Sequence, residues 1–271
     1  MSNATPRIRR NELEGPRCAL LGALLTLFTG LAGGQGTTTI TQSPLTVATN
    51  VPGNLLLVPS VGWQTLDSSA NLGDYDVARA YVGYFDPAKC YKYSYSTTET
   101  ERYFYPVGTT ATRTCSNTLQ QWSGNYLNWA ATQTIDPFRK ALTGGYRVRD
   151  TATQTWLEKA RYDGNGANSI YPNRRIPASG SDSTLVSGAT PASWNDLTYR
   201  VWMLGNRLRF TRNGDLNGSA VVPYDPSIHL TPLEGMVYEV SIRVRVCDPS
   251  VGVEANCVQY SQGWKPEGLI Q

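Results

Sequence analysis

The stretch that decides the fold runs from Trp122 to Tyr162, WSGNYLNWAATQTIDPFRKALTGGYRVRDTATQTWLEKARY. It is the one long segment with a helical pattern, because its apolar residues recur at steps of three or four. Those residues are Leu127, Ala131, Ile135, Phe138 and Leu142. Gly144 and Gly145 follow the last of them, where a left-handed C-cap suits glycine. The pattern predicts a helical centre whose apolar face the rest of the chain must cover.

Pro137 lies inside this pattern and allows two interpretations. It either kinks one long helix or occupies the first turn of a second helix. We favour the second interpretation, because an acid followed by proline is a good helix start, with Asp136 as the cap. In both cases we expect Trp129, Ile135 and Phe138 to be core residues of the helical stretch.

The N-terminus has the pattern of a secretory signal peptide. Four arginines accompany an apolar run, Cys18 to Leu31, that is short for a membrane span and is followed by small residues. We predict that residues 1–36 are the signal peptide, with an uncleaved signal anchor as the alternative, and that no membrane span remains after cleavage. Removing the four Arg and two Glu of this leader from the 24 basic and 21 acidic residues leaves 20 and 19. This near-neutral balance does not favour a nucleic-acid partner.

The mature chain keeps an even set of cysteines, as proteins of an oxidising compartment do. We expect the local disulfides Cys90–Cys115 and Cys247–Cys257, because each closes a short segment. The other pairings remain open at this point. Zinc binding is the weaker alternative, since there is no CxxC pair and the single histidine, His229, is near neither cysteine pair in the sequence.

Several segments alternate apolar and polar residues, as strands do. The clearest predicted strand is Val237–Cys247, and Leu197–Met203 with Arg207–Arg212 predicts a hairpin across Gly205-Asn206. The segment Tyr91–Tyr105 also predicts strands. Its aromatic rings either pack within the sheet or form a ligand platform, and we favour packing because strand aromatics usually pack.

Catalytic patterns are weak in this sequence. A Ser-His-Asp hydrolase would have to use His229, and there is no GxSxG elbow. Phosphate-binding loops are absent and no carboxylate pair stands out. We therefore predict a non-enzymatic protein without a cofactor.

Three long blocks together suggest a family. They are Ala80–Tyr93 (AYVGYFDPAKCYKY), Trp122–Arg161, and Arg243–Gln271 (RVRVCDPSVGVEANCVQYSQGWKPEGLIQ). The combination resembles the N-terminal region of the PilY/PilC family, the tip-associated assembly factors and adhesins of bacterial type IV pili. The resemblance covers nearly all of the chain from Thr41 onward. It implies an exported protein of the periplasm, pilus tip or cell surface that docks to minor pilins and the pilus tip complex, with a host or abiotic surface as a further partner.

The resemblance also implies a fold. We expect an α+β protein with a partial von Willebrand factor A-like α/β core and a large β-rich, disulfide-containing insertion. The first core strand would be Asn54–Val58 and the first core helix Tyr126–Leu142. The partial core, with its Tyr-rich disulfide-bonded loop, would occupy residues 37–145, and the insertion and C-terminal tail would occupy residues 146–271.

This chain departs from the family pattern at the metal site. Family members with a metal-ion-dependent adhesion site have DxSxS directly after the first strand, where this chain has Pro59-Ser60-Val61-Gly62-Trp63. A partial echo at Asp67–Asn71 lies further downstream and lacks the second motif serine. Without that cluster of oxygen ligands we predict no metal site.

The second departure is length. The family continues into further strands and a C-terminal β-propeller with a calcium site, whereas this chain stops at Gln271. We therefore expect neither the propeller nor its calcium site here. An incomplete sheet would leave an open edge for a partner strand. The alternative function is a free secreted carbohydrate-binding or adhesive module that uses the tyrosines between Tyr91 and Tyr105.

Overall fold

The fold is a mixed α/β arrangement in which strands predominate over helices. This computed structural model describes residues 68–161, 171–202, 205–218 and 220–271, together with residues 56, 58, 62, 65 and 66. The predicted signal peptide, and the predicted strand Asn54–Val58 apart from two single residues, lie outside the described residues. The described residues from Val58 onward belong to one compact unit.

The larger sheet has six strands. In spatial order they are β3 (Trp122–Ser123), β1 (Lys89–Ser94), β2 (Tyr103–Thr109), β11 (Arg243–Val246), β5 (Thr155–Glu158) and β4 (Arg147–Asp150). β11 lies parallel to β2, where Val244 pairs with Phe104. The other neighbours in this sheet are antiparallel.

The second sheet has five strands. In spatial order they are β6 (Arg174–Ile176), β7 (Leu197–Trp202), β8 (Arg207–Thr211), β10 (Val237–Ser241) and β9 (Val221–Pro223). β7 and β8 pair antiparallel from Thr198↔Thr211 to Trp202↔Arg207, which confirms the predicted hairpin. A separate hairpin consists of β12 (Cys257–Tyr260) and β13 (Gly263–Pro266).

The predicted single strand Val237–Cys247 is wrong in one respect, because the segment changes sheets at Ile242. Its first half, β10, pairs with β8 and β9, and its second half, β11, pairs with β5 and β2. The backbone N–H of Ile242 donates to Asn206 O instead of to a ladder partner (2.8 Å). A strand that passes between two sheets is buried on both sides, so the alternation of polar residues along it does not mark a solvent face.

The helical stretch forms two helices, as the favoured interpretation of Pro137 predicted. They are α1 (Gly124–Ala131) and α2 (Ile135–Thr143), and a third helix, α3 (Ser183–Ala189), lies further along the chain. Asp136 is not the cap, because Thr134 holds that position and Asp136 lies in the first turn. Gly144 is the left-handed C-cap that the sequence predicted, with φ of 73°.

The break between the helices corrects one predicted core residue. The steps of four and three residues were counted across residues 132–134, where the helix is interrupted, so α1 and α2 do not share one continuous face. Trp129 and Ile135 are buried, whereas Phe138 is 55% exposed. All of α1 is buried, while α2 buries only its first two residues.

The division at residue 145 does not separate two sheets. β4, β5 and β11 lie in the same sheet as β1–β3, so strands from both sides of the boundary complete one another. The described part of the chain thus shows a mixed α/β fold, and its relation to a von Willebrand factor A-like core stays a prediction.

The core lies where the two sheets and α1 meet, around Trp122. The ring of Trp122 packs edge-on against Phe104 of the larger sheet (5.8 Å between ring centroids) and against Phe210 of the second sheet (5.2 Å). It also stacks with Tyr126 of α1 at 6.4 Å. Such aromatic pairs stabilise a core beyond the apolar area that they bury.

A candidate interaction groove

The candidate functional site is an apolar groove of about 640 Å³ between three segments of the chain. We call these segments the loop wall (residues 79–87), the helix wall (α2) and the tail wall (residues 256 and 266–271). The three sequence blocks that carry the family resemblance each supply one wall. The lining residues include Tyr81, Val82, Phe85, Pro137, Lys140 and Leu269.

The loop wall is held by two asparagines of α1. Asn125 accepts the N–H of Tyr81 (2.9 Å) and donates to Arg79 O (2.8 Å). Asn128 accepts the N–H of Phe85 (3.1 Å) and donates to the carbonyls of Tyr81 and Phe85 (both 2.9 Å). Each side-chain amide has both donors and acceptors, so it can satisfy backbone groups of a segment that has no regular secondary structure.

Gly83 permits this arrangement, because the loop passes close to α1 at that position. A Cβ atom on Gly83 would lie 2.1 Å from the side-chain oxygen of Asn128 and 2.4 Å from the hydroxyl of Thr132. Any larger residue would therefore push the loop wall away from the helix.

The helix wall carries the one basic residue of the groove lining, Lys140. Its ammonium donates to Gly83 O at 2.7 Å, which joins the helix wall to the loop wall. Burial lowers the pKa of Lys140 below its ordinary value, and the negative charges of Glu254 and Asp86 oppose this effect. The positive charge is therefore held in an environment that solvates it poorly.

The tail wall is fixed to the end of α2. The N–H groups of Leu269 and Ile270 donate to Ala141 O (2.8 Å) and Leu142 O (3.1 Å). These carbonyls belong to the last turn of the helix, which lacks intrahelical donors. These two hydrogen bonds thus have two effects: they cap the helix, which stabilises it, and they hold the tail wall in position.

Apolar side chains at and beside the groove are open to solvent. Val82 is 57% exposed and Leu269 is 86% exposed, and Phe138 follows Pro137 on α2 outside the lining. An exposed apolar cluster of this kind is typical of a protein interaction surface.

The cysteines form the two local disulfides that the sequence favoured. Cys90 is bonded to Cys115 and Cys247 to Cys257, with 5.7 Å between the Cα atoms in each pair. Neither cysteine pair lines the groove. Beside the second disulfide, Glu254 binds buried Lys89 (2.8 Å) and accepts the N–H of Cys247 (2.7 Å), which ties the C-terminal region to β1.

The Tyr-rich segment does not form an exposed platform as a whole. Tyr91 and Tyr93 are buried, and the hydroxyl of Tyr93 accepts the N–H of Ser241. Tyr103 stacks on Trp156 with 3.9 Å between ring centroids. The packing interpretation therefore holds for these rings. Tyr91 and Tyr93 are not exposed, so they cannot take part in the alternative function of carbohydrate binding.

Other chemistry is weak among the described residues. The grouping of possible metal ligands there is Cys247, Glu254 and Cys257, but the two sulfurs are bonded to each other and offer no thiolate. His229 accepts the N–H of Asp225 at 3.0 Å and packs edge-on against Tyr238, which is a structural role within its loop. No helix in the described ranges has the length and apolar character that a bilayer span requires.

Sequence reasoning missed Asn125, Asn128 and Lys140. The signal for the first two was present, since NYLNW places two amides three residues apart in an otherwise apolar helical turn. Amides at that spacing lie on the same side of a helix. The position of Lys140 had no local signal, because its neighbours come from distant parts of the chain.

Comparison with known proteins agrees with the resemblance seen in the sequence. A family model described as "PilY1 homolog, small alpha/beta domain" matches residues 73–191, which include the loop and helix walls. No solved structure matches the chain significantly.

Two curated relatives from Xylella fastidiosa (strain Temecula1) have the name type IV pilus biogenesis factor PilY1 homolog. One is 51% identical over 283 residues, which covers 98% of this chain and 22% of the relative. The other is 28% identical over 176 residues, which covers 55% of this chain and 12% of that relative. The chain thus spans about a fifth or less of the length of these relatives, and over that length it belongs to the PilY1 homolog family.

Proposed function

We propose that this chain is an exported, non-enzymatic protein of type IV pilus biogenesis that acts by protein docking at the pilus tip, as an assembly factor or adhesin. The observation that carries the proposal is the 51% identity, over 98% of the chain, with a type IV pilus biogenesis factor. Its expected partners are minor pilins and the tip complex, and a host or abiotic surface.

The structure supports docking through the groove. Its lining is almost entirely apolar, and exposed Val82 and Leu269 offer side chains that a protein partner would bury. The two disulfides support export, because such bonds persist in oxidising compartments.

Immunogold electron microscopy tests the tip location. In a piliated strain that expresses the full chain with an epitope tag, we expect gold particles at one end of the pili. Label along the whole length of the filaments would contradict docking at the tip. Label on the cell surface, with none on the pili, would contradict association with the pilus. A strain without the tag measures non-specific labelling.

A further inference from the structure

The ammonium group of Lys140 in the groove forms no ion pair in the part of the chain that the structure describes. Within the described residues, no carboxylate oxygen lies within the 4.0 Å ion-pair distance of the Lys140 ammonium. Asp86 and Glu254, the nearby acids, approach Lys89 instead, at 3.8 and 2.8 Å. Glu267 is the other charged residue of the lining, and no ion pair joins it to Lys140.

An ammonium group has three N–H donors, and the structure gives that of Lys140 one acceptor, the carbonyl of Gly83. In a poorly solvated environment, a carboxylate placed beside such a group gains much more than it would in water. The rest of the lining offers apolar contact. Beside Lys140 the groove is therefore complementary to a carboxylate, and the rest of the lining, apart from Glu267 and Asn256 on the tail wall, is complementary to apolar groups.

We propose that the groove binds an apolar peptide segment of a partner protein, with one carboxylate of that segment paired to Lys140. A protein segment suits the surface because Val82 and Leu269 of the lining are exposed and extend the apolar area to the rim of the groove. The inference deepens the proposed function by assigning a chemistry to the docked segment, and it rests on that function.

Two labelled peptides test this chemistry. One is a helix-forming, Leu- and Ala-rich peptide of about 15 residues with a single central Glu, and the other has Gln at that position. Fluorescence anisotropy with the full chain should show about tenfold tighter binding of the Glu peptide. Lys140→Met should remove this preference, so that the Glu and Gln peptides bind with equal affinity, while Lys140→Arg should keep the preference.

Variants of the apolar rim separate packing from charge. Val82→Ser and Leu269→Ser should weaken both peptides to a similar extent, because these side chains contact the apolar part of the segment. Ile228→Ser is the matched control, since Ile228 is also exposed and lies outside the groove lining. It should leave both affinities unchanged.

Three results would overturn the inference. They are equal affinity for the Glu and Gln peptides, binding of the fatty acid decanoate with no binding of either peptide, and self-association of the chain that Leu269→Ser abolishes. The second result would identify a lipid-like ligand and the third a second copy of the chain. Recovery of the native chain with sheared pili keeps the two proposals apart. A native chain that travels with pili but does not distinguish the peptides retains the function and loses this inference. A native chain that distinguishes the peptides but is not recovered with pili retains the groove and loses the function.

Discussion

At the scale of single residues, the side chains of Asn125 and Asn128 in α1 form the backbone hydrogen bonds that regular secondary structure supplies elsewhere in the chain. The loop wall has no ladder or helix to satisfy its backbone, and Asn125 and Asn128 are fully buried against it. A buried polar group that loses its partner is expensive, so these side chains fix the loop more firmly than apolar contacts would.

We expect Asn128→Ala to lower the free energy of unfolding by about 3 kcal/mol, because it leaves the N–H and C=O of Phe85 and the C=O of Tyr81 without partners. Urea unfolding followed by tryptophan fluorescence measures the change. Asn173→Ala is the control, since Asn173 is exposed, and it should change stability by less than about 0.5 kcal/mol. Equal effects of the two variants would mean that the loop wall does not depend on Asn128.

The buried ammonium group of Lys159 should make the stability of the fold depend on pH. Burial lowers the pKa of Lys159 to about 7, while Asp136 and Glu158 act in the opposite direction. Its ammonium lies 5.7 Å from the ring centroid of Tyr171 and has no hydrogen-bond acceptor within the described ranges. Between pH 7 and the unfolded value of 10.5 the unfolded chain therefore binds more protons at this group.

Stability from Lys159 should accordingly rise with pH across that window, by at most about 1.4 kcal/mol per pH unit. We expect the difference in unfolding free energy between the native chain and Lys159→Met to change with this slope between pH 7 and 10, measured by urea unfolding. Other groups cancel in the difference. A difference that is constant with pH would show that Lys159 titrates near its ordinary value in the folded chain.

At the scale of elements, the predictions that rest on local backbone preferences were confirmed. The prediction that counted apolar residues across a break in the helix was wrong. Pro137 and Gly144 marked the start and end of α2 because their backbone preferences are local. The apolar spacing misplaced Phe138, because a count of residues carries no information past the break at 132–134. The change of sheet at Ile242 had no local signal either, since both halves of Val237–Cys247 alternate in the same way.

The contact of the tail with α2 makes Gly268 a sensitive position. A Cβ atom there would lie 2.1 Å from the backbone carbon of Leu142. We expect Gly268→Ala to detach the tail wall, so that hydrogen exchange at the amides of Leu269 and Ile270 becomes at least about tenfold faster. Gly108→Ala is the control, because nothing lies within 4 Å of its added Cβ atom. Unchanged exchange in Gly268→Ala would show that the tail is not held at this point.

At the scale of the whole molecule, the sequence predicted the mixed class, the disulfides, the hairpin β7–β8 and the packing of the Tyr-rich strands. Each of these depends on residues that are near one another in the chain or on general packing preferences. The sheet that combines strands from both sides of residue 145 was not predicted, and neither was the groove. Both depend on distant segments coming together, such as β11 inserting between β2 and β5.

The sheet edges bear on the open-edge hypothesis. In the part of the chain that the structure describes, the edge strands β3, β4, β6 and β9 are two to four residues long. β9 ends in Pro223, and β4 carries Arg147, Arg149 and an irregular register between them. Short, charged or proline-containing edges resist strand addition, so docking through the side chains of the groove is favoured over pairing at an edge.

The disulfides should contribute measurably to the stability of the whole unit. We expect the double variant Cys90→Ala with Cys115→Ala to lose about 3 kcal/mol of unfolding free energy, because the bond restricts the unfolded chain across a separation of 25 residues. Urea unfolding of the native chain in reducing buffer is the parallel measurement and should show at least this loss. Identical stability in oxidising and reducing buffer would contradict a structural role for both bonds.

The central claim is that this chain works as part of a type IV pilus. Quantitative mass spectrometry of sheared pili, with a strain that lacks the major pilin as control, tests it most directly. We predict that the mature chain is recovered in the sheared fraction only when pili are present. Equal recovery from both strains would contradict the claim and indicate a free secreted protein.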